Sequence, residues 1–96
     1  MLVLITYDVN TQDKEGQRRL RKVAKECVNH GIRVQNSVFE CIIDPAQCRV
    51  LKQKLTELID QQTDSLRFYY LGDSKKAKIE HIGAKPTIKV DEPLIL

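Results

Sequence analysis

The N-terminal segment constrains the fold of this chain more than any other part of the sequence. Residues 2–9 are an apolar, β-branched run that is interrupted near its end by one carboxylate, Asp8. A strand this uniformly apolar has no face suited to solvent, so we expect it to lie in the centre of a sheet. An acidic group at the end of a buried strand, with a basic helix after it, suits the joint binding of a metal ion and a phosphate group.

Length and cysteine content narrow the class of protein. Ninety-six residues predict a single domain, residues 1–96. No segment approaches the ~20 apolar residues of a membrane helix, and the N-terminus lacks the basic region of a signal peptide. The three cysteines, Cys27, Cys41 and Cys48, have no metal-ligand spacing and fall on apolar positions of predicted elements. We therefore expect reduced core thiols and a cytoplasmic protein without membrane contact.

Helix 1 is predicted from about Lys14 to Asn29 and carries an apolar stripe at helical spacing. The stripe comprises Leu20, Val23, Ala24, Cys27 and Val28. Gly31 is expected to end the helix through left-handed geometry.

Residues 32–43 are extended and β-rich, but a polar interruption divides them. A two-residue turn at Asn36-Ser37 would make two strands, 32–35 and 38–43, whereas a bulge would keep one strand. Both interpretations stay open at this point. The second helix begins clearly, with Asp44 as the N-cap, Pro45 at the first helical position and Gln47 completing a capping box.

With the turn accepted, the elements follow the order βαββαβ. This order predicts an α+β, ferredoxin-like sandwich with a core of about residues 1–72. A C-terminal tail of about residues 77–96 remains, and it ends in Leu94, Ile95 and Leu96. Adding this tail as an extra strand to another subunit's sheet edge would cover its apolar side chains. We therefore expect a homodimer with an exchanged C-terminal strand, and we place Leu94, Ile95 and Leu96 in the dimer interface.

Asp8 is the candidate catalytic and metal-binding residue. A lone aspartate at a strand end more commonly stabilises a turn, and Mg²⁺ prefers six oxygen ligands. Two Asp8 side chains facing each other across a two-fold axis would supply two carboxylates from one acidic position. The predicted metal site therefore uses Asp8 from both protomers.

Net charge is only +3, but the basic residues are clustered between positions 14 and 25 and between 75 and 89. On helix 1, Lys14, Arg18, Arg21 and Lys25 recur at i, i+4, i+7 and i+11, with Arg19 and Lys22 beside them. A solvated face is the alternative, yet one sign of charge dominates this stripe. The stripe predicts contact with a nucleic-acid backbone, weakly specific and salt-sensitive.

A second polar row follows the helix. Arg33, Gln35, Ser37 and Phe39 alternate along the extended segment, so a continuous strand would place a cation, an amide and a hydroxyl beside an aromatic ring. Such a row matters for binding only if it lies near Asp8.

Three segments together resemble a known family. They are Tyr7-Asp8-Val9, the basic run from Arg18 to Lys22, and the block from Arg33 to Cys41. They resemble the small CRISPR-associated nuclease of the spacer-acquisition machinery, the second of the two universal adaptation proteins. The resemblance covers essentially the whole chain, and residues 79–86 look like the branch that accompanies subtype I-C systems.

The resemblance implies a ferredoxin-like protomer and a homodimer in which the last strand crosses to the partner. It implies a divalent ion, Mg²⁺ or Mn²⁺, between the two Asp8 carboxylates. It also implies endonuclease activity on single-stranded RNA or double-stranded DNA, and a place between two dimers of the CRISPR integrase. Arg33, Phe39 and the helix 1 cations match positions that the family uses for substrate contact. The full predicted nucleic-acid contact set is Tyr7, Lys14, Arg18, Arg19, Arg21, Lys22, Lys25, Arg33, Ser37 and Phe39.

Three functions follow from these features. The leading one is metal-dependent hydrolysis of phosphodiesters during spacer acquisition. The second is a non-catalytic, DNA-binding scaffold that bridges integrase dimers. The third is a toxin-type ribonuclease similar to virulence-associated protein D, which shares the fold. Phosphate contacts do not depend on the sugar, so DNA and RNA both remain possible substrates.

Overall fold

The computed structural model describes residues 1–71 and 78–84. In chain order the elements are β1 (Leu2–Asp8), α1 (Lys14–His30), β2 (Ile32–Gln35), β3 (Val38–Ile42), α2 (Pro45–Leu58), β4 (Ser65–Tyr70) and β5 (Lys78–Gly83).

The five strands form one antiparallel sheet in the order β2-β3-β1-β4-β5. The apolar β1 lies in the centre, as its sequence predicts, and pairs with β3 on one side and β4 on the other. Helix α1 connects β1 to β2 across β3, and α2 connects β3 to β4 across β1. This is the ferredoxin-like α+β arrangement, and the predicted fold class is confirmed.

Alternation along the strands divides the sheet into two faces. Val3, Ile5 and Tyr7 of β1 are buried under the helices, together with Phe39 of β3 and Phe68 of β4. The apolar stripes of both helices complete this core, with Val23, Cys27, Leu51 and Leu55 fully buried. The opposite face of the sheet, which we call the open face, is covered by no described helix.

Strand β5 corrects part of the predicted tail. Residues 78–83 pair along their whole length with β4 of the same chain, from Tyr70–Lys78 to Ser65–Gly83. This part of the predicted dimer-pairing tail is therefore an intramolecular strand. The predicted interface residues Leu94, Ile95 and Leu96 lie outside the described residues.

The interruption before β3 combines both interpretations. A turn at Asn36-Ser37 separates β2 from β3, and the register also shifts between Arg33 and Gln35. Arg33 pairs with Phe39 and Gln35 with Val38, so Arg33 and Gln35 lie on opposite faces of the sheet. The predicted single row of Arg33, Gln35, Ser37 and Phe39 is therefore wrong, because the shift breaks the alternation.

The predicted bounds of α1 and the predicted start of α2 agree with the structure, whereas two other expectations for α1 need correction. The capping box of Asp44 and Gln47 is present in both directions. Val28, placed in the α1 core stripe, is 57% exposed. Gly31 is extended, not left-handed. It is glycine because a Cβ there would lie 2.4 Å from Cys41 Sγ and 2.6 Å from the Glu40 carbonyl oxygen.

The cysteine prediction is confirmed, since Cys27, Cys41 and Cys48 are all free and buried. Burial raises the pKa of the Cys27 thiol to about 12 and also raises the pKa values of the other two. Across residues 1–71 and 78–84, neither helix has the length and apolar character required to cross a membrane.

Candidate metal and nucleic-acid site

Asp8 is the last residue of the central strand and its side chain is exposed. Because Tyr7 points toward the helices, alternation directs Asp8 to the open face. Its partner across β4 is Ser65. The salt bridges among the described residues use Glu15, Asp64 and Glu80, so the Asp8 carboxylate is not held by one of them.

The open face carries two further polar groups beside Asp8 that sequence reasoning missed. Arg67 pairs with Thr6 and with His81, one alternation step from the Asp8–Ser65 pair. The Arg67 Nε donates to His81 Nδ1 at 3.2 Å, so the Nε2–H of His81 donates to the Ala84 carbonyl. The signal was present in the sequence, because the inward Leu66 and Phe68 place Arg67 on the opposite face.

The β2–β3 turn reaches the Asp8 end of the sheet. The Tyr7 amide donates to the Ser37 carbonyl at 3.1 Å, and the Tyr7 hydroxyl donates to the Asn36 carbonyl at 3.4 Å. Ser37 is half-buried in this turn and Arg33 is exposed beside it. The structure thus brings Ser37 to the Asp8 end of β1, whereas Arg33 lies on β2 and shares the helix-side face of the sheet with Phe39.

Two residues of the predicted contact set require a correction. Phe39 is fully buried and Tyr7 is 5% exposed, and their rings stack with centroids 6.0 Å apart. Burial also raises the pKa of Tyr7. In this structure neither ring reaches a ligand at the surface, because both fill the core between β1, β3 and the helices.

The basic stripe of α1 lies on the outer surface of the helix layer. Lys14, Arg18, Arg21, Lys22 and Lys25 are all exposed. Among the described residues, Arg18 is the one member of this stripe that approaches a carboxylate, that of Glu15 at 3.6 Å, and both side chains remain solvent-exposed. The stripe extends about 16 Å along the helix from the Asp8 end. The structure thus brings only its N-terminal part near Asp8.

Arg19 behaves differently from its neighbours. Its side chain is 22% exposed, and its Nε donates to Asp64 Oδ2 at 2.8 Å. The prediction that Arg19 contacts nucleic acid needs a correction, because this cation is already bound within the protein. Neither Asp64 nor its link to Arg19 was anticipated from the sequence.

Asp64 lies directly below the loop that follows Asp8. Desolvation raises its pKa, but hydrogen bonds from Arg19 and from the amides of Asp60 and Asn10 outweigh that cost. The net effect holds the pKa of Asp64 below its usual value. The carboxylate is therefore ionised near neutral pH and anchors the surrounding loops.

The described residues of one chain do not by themselves build a metal site. They hold no group of three or more histidine, cysteine, aspartate or glutamate side chains with suitable spacing. Asp8 is a hard oxygen donor on a rigid strand, which suits Mg²⁺ or Mn²⁺, yet it is one carboxylate. A second Asp8 from a partner chain would bring this donor set to two carboxylates.

The chain is similar in sequence to proteins of one family. Residues 1–79 match the family described as CRISPR associated protein Cas2. The CRISPR-associated endonuclease Cas2 of Halalkalibacterium halodurans is 63% identical over 99% of this chain and 99% of its own length. The CRISPR-associated endoribonuclease Cas2 of Nitratidesulfovibrio vulgaris is 56% identical over 100% of this chain and 94% of its own length.

A solved structure gives the same relationship. The crystal structure of Streptococcus pyogenes Cas2 at pH 6.5 superposes with a TM-score of 0.70 and 60% sequence identity. The match covers 75% of this chain and 87% of that chain. The similarity therefore extends through both sequence and three-dimensional structure.

Proposed function

The chain belongs to the CRISPR associated protein Cas2 family, and from this membership we propose that it is a metal-dependent endonuclease that acts as a homodimer in spacer acquisition. The observation that carries the proposal is the position of Asp8, exposed at the end of the central strand on the open face. The names endonuclease and endoribonuclease of its relatives support hydrolysis of phosphodiesters. Family membership sets aside the toxin-type ribonuclease.

The open face supports the homodimer. It exposes large apolar side chains on three strands, among them Ile42 at 80%, Ile32 at 73% and Ile79 at 48%. Exposed apolar surface of this kind marks an interaction site, and most such assemblies are two-fold symmetric. A second copy packed on this face would direct two Asp8 side chains into one interface and complete the donor set.

In this proposal, different residues bind the metal ion and the phosphates. The Asp8 carboxylates of two protomers would hold the ion, Mg²⁺ or Mn²⁺, and Arg18 and Arg21 would bind backbone phosphates from the outer helix surface. Arg33, exposed on β2 above the Phe39 ring, supplies a further cation. A divalent ion, when bound, polarises a phosphate and lowers the pKa of a water ligand.

The wider setting of the proposal is CRISPR adaptation. We place the protein in the cytoplasm, in the branch that accompanies subtype I-C systems, with the CRISPR integrase as its partner. Duplex DNA and single-stranded RNA are both proposed substrates, because the exposed cations contact phosphate and not the sugar.

The substitution Asp8→Asn tests the proposal. It should abolish Mg²⁺- and Mn²⁺-dependent cleavage of matched RNA and duplex DNA while the dimer mass and nucleic-acid affinity stay close to wild type. Asp13→Asn is the matched control, because it removes one exposed carboxylate but asparagine still caps α1. Undiminished cleavage by Asp8→Asn, in preparations free of contaminating nuclease, would refute the proposal.

A non-catalytic scaffold is the second candidate function. It is favoured by the exposed stripe, which can bind phosphate without a metal ion, and by the described residues of each chain, which hold no cluster of three or more metal-binding side chains. In a spacer-acquisition assay, normal acquisition by Asp8→Asn would support the scaffold. Loss of acquisition by that variant would show that the carboxylate itself is required.

A further inference from the structure

Asp64 is the one charged residue that is fully buried in the described part of the chain. Each of its two carboxylate oxygens accepts two hydrogen bonds. Oδ1 accepts from the Asn10 amide at 2.9 Å and from the Thr63 hydroxyl at 3.0 Å. Oδ2 accepts from Arg19 Nε at 2.8 Å and from the Asp60 amide at 2.9 Å. A buried carboxylate is costly unless it is satisfied in this way.

Asp64 is connected to the backbone on both sides of Asp8. Asn10 follows Asp8 by two residues, where the chain has left the sheet. Ser65, which pairs with Asp8 in β4, follows Asp64 directly. The end of β1 is thus held from its own strand, through the Asn10 amide, and from the neighbouring strand, through the backbone of residues 64–65.

Further contacts make the same region rigid. The Asn10 side chain accepts from the Gln12 amide at 3.0 Å, and Asp13 accepts from the Gly16 amide at 2.7 Å. The Asn10 carbonyl packs so closely on Gly16 that a Cβ there would lie 1.8 Å from its oxygen. The loop from Asp8 into α1 therefore has one defined path, with the Asp64 carboxylate at its base.

We propose that Asp64 and Arg19 are positioning residues that fix Asp8 for metal binding, an inference that rests on the proposed function. Neither side chain contacts the ion or the substrate; both act through the backbone around Asp8. Arg19 belongs to this support, unlike Arg18 and Arg21 on the exposed stripe. Removing the Arg19–Asp64 contact should weaken metal binding at Asp8 and leave phosphate binding by the stripe intact.

Substitutions at the two positions act with different severity. Asp64→Asn places an amide NH₂ against two donors in either orientation, because both carboxylate oxygens accept two bonds. Arg19→Gln removes the charge and its hydrogen bond to Oδ2, while three other donors remain. Arg19→Lys keeps the charge and one donor. The Arg19 variants therefore decide the test if Asp64→Asn does not fold.

The experiment measures two affinities on the full-length protein. Free Mn²⁺ is titrated by electron paramagnetic resonance, and duplex DNA is titrated by fluorescence anisotropy in EDTA, both well below each variant's melting temperature. Arg19→Gln should raise the Mn²⁺ dissociation constant about tenfold, the lower end for residues that support metal ligands. Its duplex affinity should change less than about twofold, and Arg19→Lys should restore most of the Mn²⁺ affinity. Arg18→Gln is the matched control and should show the reverse pattern.

The outcomes separate this inference from the proposed function. Wild-type Mn²⁺ affinity in Arg19→Gln, with binding lost in Asp8→Asn, would overturn the positioning role and leave the proposed function standing. Weaker duplex binding by Arg19→Gln, equal to that of Arg18→Gln and with unchanged Mn²⁺ affinity, would make Arg19 a phosphate contact. Absence of Asp8-dependent Mn²⁺ binding in the wild type would overturn the proposed function itself.

Discussion

The guanidinium of Arg33 lies over the ring of Phe39, 5.1 Å from its centroid, while that ring is fully buried. The pair therefore divides into a solvent-facing cation and a core aromatic residue, with a cation–π contact between them. Phe39 also stacks on Tyr7, the neighbour of Asp8. Substitutions at Phe39 should consequently act on activity through the packing under β1.

Phe39→Ala should lower the free energy of unfolding by about 3–5 kcal/mol, the usual cost of removing a buried phenylalanine. Urea denaturation followed by circular dichroism measures this change. Val50→Ala, at a 52% exposed position of α2, is the control and should change stability by less than about 0.5 kcal/mol. Native stability of Phe39→Ala combined with lost nucleic-acid binding would show that the ring contacts substrate after all.

Stability should fall on acidification because two carboxylates have lowered pKa values. Hydrogen bonds from Arg19 and from two backbone amides hold the pKa of Asp64 below its usual value despite desolvation. Hydrogen bonds from Lys52 and Tyr70 lower the pKa of Glu80. A pKa that is lower in the folded state stabilises the fold above the unfolded value, about 4 for these groups. That contribution is lost as the pH falls through the lowered pKa.

Urea unfolding between pH 7 and pH 2 measures this dependence. Wild type should lose stability steeply below about pH 4. Glu80→Gln should lose less, because this variant lacks the carboxylate whose protonation destabilises the wild-type fold. Glu57→Gln, an exposed glutamate on α2, controls for net charge. A pH profile of Glu80→Gln parallel to that of wild type would contradict the assigned contacts with Lys52 and Tyr70.

The sequence predicts the features whose causes are local. The apolar run of β1 required a central strand, and Asp44, Pro45 and Gln47 marked the start of α2 through contacts within three residues. Asp8 could be identified as the exposed end of a buried strand for the same reason. Alternation on β4 also carried the signal for outward Arg67, which sequence reasoning missed.

The remaining features depend on contacts between distant positions. Asp64 meets Arg19 over 45 residues and Asn10 over 54, so no local pattern marks it as a buried anchor. Helical spacing could not separate Arg19 from Arg18, because the difference is a partner on another element. The burial of Phe39 and the pairing of β5 likewise depend on which strands become neighbours.

Gly16→Ala should destabilise the protein, against the intrinsic preference of helices. Alanine at an exposed helix position gains about 1 kcal/mol over glycine. Here the added Cβ would lie 1.8 Å from the Asn10 carbonyl oxygen, so backbone after Asp8 must move. Thermal denaturation should show a lower melting temperature, whereas the control Lys22→Ala, at an exposed α1 position, should stay near wild type. A raised melting temperature in Gly16→Ala would contradict the described path of the loop.

Phosphate contacts by the exposed basic stripe of α1 should make duplex binding depend on salt concentration. Each cation that neutralises a phosphate contributes a slope of about −0.9 to log K against log salt. Arg18→Gln and Arg21→Gln should therefore each weaken duplex binding and reduce the slope by about 1, similarly across duplex sequences. Lys54→Gln is the matched control, because it removes an exposed cation of equal charge from α2. Fluorescence anisotropy between 50 and 300 mM salt, on the order of the range used for such slopes, measures the effect. An equal loss in Lys54→Gln would mean that net charge, and not the α1 surface, attracts the nucleic acid.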